Sequence, residues 1–83
     1  MFSKKKELLF VFDREQRISL HNFFVFYPIN LIFFDSNKIV VEIKKNFMPF
    51  NLYKSRKKAK YLLESPFEIK YKLGDSLKKD LYK

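Results

Sequence analysis

ISLHNFFVFYPINLIFF, Ile18 to Phe34, is the stretch whose reading decides the fold. It holds five of the chain's eleven Phe, and ten of the twelve residues from Phe23 to Phe34 are apolar or aromatic. Such a run must be buried, yet it is shorter than the roughly 18 apolar residues that span a bilayer. It reads as core. From Ile18 the residues alternate, with Ile18, Leu20, Asn22, Phe24 and Phe26 on one face of a strand and Ser19, His21, Phe23 and Val25 on the other. Pro28 has no N–H to give to a ladder, so the run breaks near Tyr27-Pro28 and Ile29 to Phe34 forms a second strand.

Outward from this core the turn signals are dense. Asp35-Ser36-Asn37-Lys38 reverses the chain into Ile39-Val40-Val41-Glu42-Ile43, where Ile39, Val41 and Ile43 are expected to face inward. On the N-terminal side, Leu8 to Phe12 reads as a fully buried strand and Asp13 to Arg17 as a turn. Lys44 to Ser55 is irregular, but Phe47, Met48, Phe50, Leu52 and Tyr53 predict a segment that folds back over the sheet. Tyr61 to Glu64 is a strand stopped by Pro66. Phe67, Ile69 and Tyr71 alternate as a strand, although Phe67 and Tyr71 also have the spacing of one short helical turn. The lone Gly, Gly74, marks a turn of positive φ. The expected fold is one small, mainly β domain over residues 1–83, with six or so mostly antiparallel strands in an open barrel or sandwich.

Composition narrows the function classes. At 83 residues a single core only just offsets chain entropy, and the 47% hydrophobic and 19% aromatic content supplies that core. With no Cys there is no disulfide framework, thiol nucleophile or Cys-based zinc site, and a single His leaves little material for a His-rich metal site or a Ser-His-Asp arrangement. One Gly cannot build a phosphate-cradling loop. The apolar residues after Lys4-Lys5-Lys6 are too few for a signal-peptide core, so the expected location is cytoplasmic. The abundance of Lys and Phe fits an AT-rich genome or a thermophile.

The charge is uneven. Residues 1–43 carry six basic and five acidic side chains, whereas residues 44–83 carry twelve and four, so +8 of the net +9 lies in the second half. Five cations fall within Lys54 to Lys60. If that run is extended, Lys54, Arg56, Lys58 and Lys60 line one face at a spacing that follows phosphates, with Lys57 beside them and Phe50 and Tyr53 upstream as stacking surfaces. The competing reading is a solvated loop in a Lys-rich chain.

The ordered features resemble one family, the small archaeal and bacterial proteins of domain of unknown function 192. The residues carrying the resemblance are Leu9-Phe10-Val11-Phe12, then Pro28-Ile29-Asn30-Leu31-Ile32-Phe33-Phe34-Asp35, Ile39 to Ile43, Tyr61-Leu62-Leu63-Glu64 and Gly74-Asp75, over about residues 8–77. The resemblance implies a compact β-rich fold and assigns no activity. The family's core Asp is Asn30 here, Ser65-Pro66 stands where a Gly usually follows, and the upstream Gly-Leu-Met segment of many members has no counterpart in these residues. A pocket lip built from such a segment is therefore not expected.

Two functions of different class follow. One is a non-catalytic binding or interaction domain whose ligand contacts would be His21, Asn22 and Asn30, polar residues set in apolar strands. The alternative is single-stranded nucleic-acid binding through the basic half, Lys44 to Lys83. The acids Asp35, Glu42, Glu64 and Asp75 form no recognisable metal motif or acid/base pair, so no catalytic residue, metal or cofactor is assigned.

Overall fold

The computed structural model describes residues 7–21, 27–49 and 51–78. They form six strands: β1 (Leu8–Gln16), β2 (Ser19–His21), β3 (Ile29–Phe34), β4 (Val40–Phe47), β5 (Leu52–Lys54) and β6 (Ala59–Ser65). A four-stranded antiparallel sheet has the order β1-β6-β3-β4, and β2 pairs with β5 in a separate two-stranded sheet. The barrel is not closed. Among the described residues there is no helix, so the short helical turn near Phe67 is replaced by irregular chain.

Why β3 is so apolar follows from its place. It lies between β6 and β4, and side chains on both of its faces are covered, so alternation gives way to a nearly continuous apolar run. Ile29, Leu31 and Phe33 point to one face, where Ile18, Leu20 and Tyr53 of the small-sheet region pack with Phe47, Ala59 and Leu62. Ile32 and Phe34 point to the other and join Val40, Tyr61, Leu63 and Leu77. That second face is roofed by the C-terminal segment, whose Ile69 and Tyr71 add to the cluster. The Tyr71 ring meets Phe34 edge-on at 5.4 Å.

The roof is tied to β4 by backbone bonds. Val40 N–H donates to Asp75 O (2.8 Å), Gly74 N–H to Val40 O (3.0 Å) and Leu77 N–H to Lys38 O (2.8 Å). Gly74 has φ +92°, the conformation expected of it from the sequence. Asp35 closes the β3–β4 turn as expected too, its Oδ1 accepting from Asn37 N–H (2.8 Å) and Ile39 N–H (3.0 Å).

Four expectations are corrected. Leu8 to Phe12 is not a fully buried strand and residues 13–16 are not a turn: β1 continues to Gln16 and is an edge strand with exposed apolar groups. An edge strand need not be apolar to form, since only one side of it is paired. The inward set Ile39, Val41, Ile43 is broken by a register shift between Phe33 and Phe34, opposite Glu42 and Val40, which leaves Val41 as an extra residue. Val40 and Glu42 are consequently the buried members of this stretch. Lys44 to Phe47 continues β4 and residues 52–54 form β5, so this segment is strand where irregular chain was expected; Phe47 and Tyr53 do pack onto the core, whereas Met48 and Leu52 are exposed. Finally, Lys54 to Lys60 does not run as one extended face, because β5 stops at Lys54 and a bend at Arg56-Lys57 precedes β6. Of the expected strand Ile18 to Phe26, only Ser19–His21 falls in β2, and residues 22–26 lie outside the described residues.

Candidate functional site

The β5–β6 turn is built from the inside. Ser55, fully buried at its start, receives Ile18 N–H on its hydroxyl (2.8 Å), donates that hydroxyl to Lys57 O (2.8 Å), and sends its own N–H to Ile18 O (2.8 Å). Beneath the turn lies the buried carboxylate of Glu42. Its Oε1 accepts both Arg56 N–H and Lys57 N–H, each at 2.8 Å, and its Oε2 accepts the Tyr53 hydroxyl. Two successive backbone N–H groups aimed at one point form an anion-binding concavity. Here the protein's own carboxylate fills it.

With their backbone held this way, Arg56, Lys57 and Lys58 are all exposed. None forms an ion pair with a described residue, where the one such pair is Arg14–Asp13 at 3.8 Å. Arg17 flanks them, its Nε donating to Ser55 O (3.0 Å). Glu15 is the nearby acid. The Ser36 N–H bond to its Oε2 (2.7 Å) is the main cause that holds its carboxyl below the ordinary range, and Lys58 adds a smaller pull. The turn thus displays three cations in sequence on a fixed frame, an arrangement suited to phosphate groups.

The remaining expected site residues are distributed differently. Lys54 is exposed on β5 opposite Ser19. Lys60 lies past the turn with its ammonium 5.8 Å from the Tyr61 ring, which Lys38 also approaches at 5.2 Å. Tyr53 is engaged within the fold, its ring 6.0 Å from Phe33 and 6.2 Å from Phe47, with the Lys44 ammonium 5.7 Å away. Burial, then the hydrogen bond and charge of Glu42, push its hydroxyl up to about 12. Phe50 lies outside the described residues.

His21 and Asn30 are in different sheets, His21 opposite Leu52 and Asn30 opposite Ser65. Asn22 is outside the described residues. Both ends of the Asn30 amide are occupied: Nδ2 donates to Phe67 O (2.6 Å) and Oδ1 accepts Asn46 N–H (3.0 Å). Asn46 sits at φ 56°, where β4 shifts register against β3, so Asn30 fixes that irregularity and the start of the C-terminal roof. Among the described residues no group of three or more His, Asp and Glu is placed to hold a metal ion.

Sequence reasoning passed over Ser55, and weighed Glu42 only as an acid without a metal motif or acid/base partner. A signal for Glu42 existed, because a lone acid inside Ile39-Val40-Val41-Glu42-Ile43 has to be satisfied if that strand is covered on both sides.

The sequence model of DUF192, described as uncharacterised, matches residues 1–76 of this chain. A UPF0127 protein of Pyrococcus horikoshii is 36% identical over 85 residues, covering 94% of this chain and 73% of that protein. One from Pyrococcus abyssi is 34% identical, covering 84% of this chain and 64% of its own length. A third, from Pyrococcus furiosus, is 39% identical over 80% of this chain and 59% of that protein. No solved structure is significantly similar to the chain.

Proposed function

The chain belongs to the DUF192 family, and we propose that it is a non-catalytic binding domain that takes the phosphates of a single-stranded nucleic acid on Arg56, Lys57 and Lys58. The observation that carries this reading is the exposed run of three cations on a turn whose backbone is locked by Glu42. Ordering a charged loop is part of what phosphate binding ordinarily costs, and here the backbone is already ordered. The excess of +8 in residues 44–83 adds a long-range attraction for a polyanion. A single strand is favoured over a duplex because the described residues offer no helix to enter a major groove. Asn30 contributes to the frame rather than to the ligand, since its amide is already bonded at both ends.

The test is fluorescence anisotropy with a labelled single-stranded oligonucleotide at several salt concentrations. Replacing Arg56, Lys57 and Lys58 with Ala leaves intact the backbone N–H groups that Glu42 holds, so this variant keeps the turn. Its log–log salt dependence should be shallower by about 2, at about 0.7 for each single-strand phosphate that is no longer neutralised. A charge-matched variant with Lys70, Lys72 and Lys78 changed to Ala should retain most of the slope. Absence of binding at low salt, or binding indifferent to the Arg56-Lys57-Lys58 substitutions, overturns the reading.

A further inference from the structure

The basic turn has a neighbour at the same end of the large sheet. Phe34 pairs with Tyr61, so β3 runs out into the Asp35 turn just where β6 begins beyond Lys58. The two turns meet at Glu15, whose carboxylate takes Ser36 N–H (2.7 Å) and feels the charge of Lys58. Two more cations gather here. The ammonium groups of Lys38, from the Asp35 turn, and Lys60, from β6, approach the ring of Tyr61 at 5.2 and 5.8 Å. That ring is only 9% exposed, too little to stack on a base, and it serves as a fixed seat for both charges. Lys38 is also held in an unusual way. Its N–H donates to Asp35 O (2.9 Å), its carbonyl accepts Leu77 N–H (2.8 Å), and its φ is 65°. Glycine takes this left-handed conformation without steric cost, whereas a residue with a Cβ does not. The fold therefore carries a lysine where a glycine would be relaxed, and strain of this kind collects at functional sites.

We propose that Lys38 and Lys60 form a second phosphate contact for the single strand, which runs from the Arg56-Lys57-Lys58 turn across the start of β6 to the Asp35 turn. This rests on the nucleic-acid reading of the basic turn and extends it. As at that turn, both lysines leave from backbone that is already bonded, Lys38 by Asp35 and Leu77 and Lys60 within β6, so little ordering remains to be done on binding. The acids nearby set the route. Asp35 turns its Oδ1 onto Asn37 N–H and Ile39 N–H. Glu15, held below the ordinary carboxyl range mainly by the Ser36 hydrogen bond, is charged at pH 7 and repels phosphate on the β1 side. The strand is left with the path over Lys60 and Lys38.

Fluorescence anisotropy with two labelled oligothymidylates tests this, one of about 3 nucleotides that the basic turn holds alone and one of about 12 that reaches both contacts. Lys38→Gly combined with Lys60→Gln should make the log–log salt dependence for the longer strand shallower by about 1.4, at about 0.7 for each phosphate, and leave the shorter strand nearly unchanged. Lys45→Gln combined with Lys70→Gln removes the same charge from exposed sites elsewhere and should keep most of the slope. Lys38→Gly by itself should hold or raise the thermal midpoint, because it relaxes φ, while weakening binding of the longer strand. Loss of folding cannot produce that pair of results. If the longer strand binds the Lys38-Lys60 variant as it binds the unmodified chain, and the Arg56-Lys57-Lys58 variant is still impaired, the second contact is overturned and the basic turn stands. If the unmodified chain binds neither strand at low salt, both are overturned.

Discussion

The Tyr53 hydroxyl on β5 bonds to the carboxylate of Glu42 on β4, and so joins the two sheets through a charged group at the base of the basic turn. The other oxygen of that carboxylate holds Arg56 and Lys57. Removing Glu42 leaves three donors to find new partners in a partly buried place. Glu42→Ala should lower unfolding free energy by about 2–3 kcal/mol, the scale for losing hydrogen bonds to a charged group. Urea denaturation measures it. Under the proposed function the same variant also binds oligonucleotide more weakly, because its cations no longer sit on a fixed backbone, and Glu42→Gln should recover part of the stability.

The same pair makes stability fall in alkali. The Tyr53 hydroxyl is raised from 10.0 to about 12 in the fold, so between these values the folded chain keeps a proton that the unfolded chain releases. The contribution is complete below pH 10 and is lost as pH rises through 12. Denaturation midpoints at pH 9, 10 and 11 should decline more steeply in the unmodified chain than in Tyr53→Phe. Parallel curves for the two proteins would show that Tyr53 does not carry the effect.

Glu64 has the opposite relation to its surroundings. It sits on β6 between the register positions of Leu31 and Leu8, and burial raises its carboxyl above the ordinary 4.5. The upward shift means that folding penalises the charged form relative to the unfolded chain. Its contribution is therefore present below the unfolded value and is lost as pH rises through the folded one. At pH 7 the charge is a burden, and Glu64→Gln should raise the thermal midpoint. Below pH 4 the native side chain is protonated in both states, and the difference between the two proteins should disappear.

How far the fold could be read from sequence depended on whether burial was local. Ile29 to Phe34 was readable because a strand covered on both faces leaves an apolar run, and Asp35 because a turn carries its hydrogen bonds within four residues. The edge character of β1 was not, since Asp13-Arg14-Glu15-Gln16 fits a turn and a half-paired strand equally well. The register shift at Val41 was hidden as well, because Ile39-Val40-Val41-Glu42-Ile43 has apolar residues available on either face. At the candidate site the cations were visible as a run. What fixes them was not, because Glu42 reaches Arg56 across 14 residues of sequence.

Asn30 offers a direct check on a position where the family resemblance leads one to expect Asp. Its Nδ2 donates to Phe67 O at 2.6 Å, and its Oδ1 accepts Asn46 N–H at 3.0 Å. Asn30→Asp preserves the acceptor and removes the donor, setting a carboxylate oxygen against a carbonyl oxygen. At pH 7 this should cost about 1–2 kcal/mol, from one lost hydrogen bond and the repulsion that replaces it, with the exposed setting keeping the figure low. In acid the new carboxyl regains a proton and can donate to Phe67 O again, so the deficit should shrink as pH falls below about 4. Denaturant midpoints for both proteins at pH 7 and pH 3.5 measure the difference. Equal stability at pH 7 would mean that the C-terminal roof takes its position from Tyr71, Gly74 and Leu77 without help from Asn30.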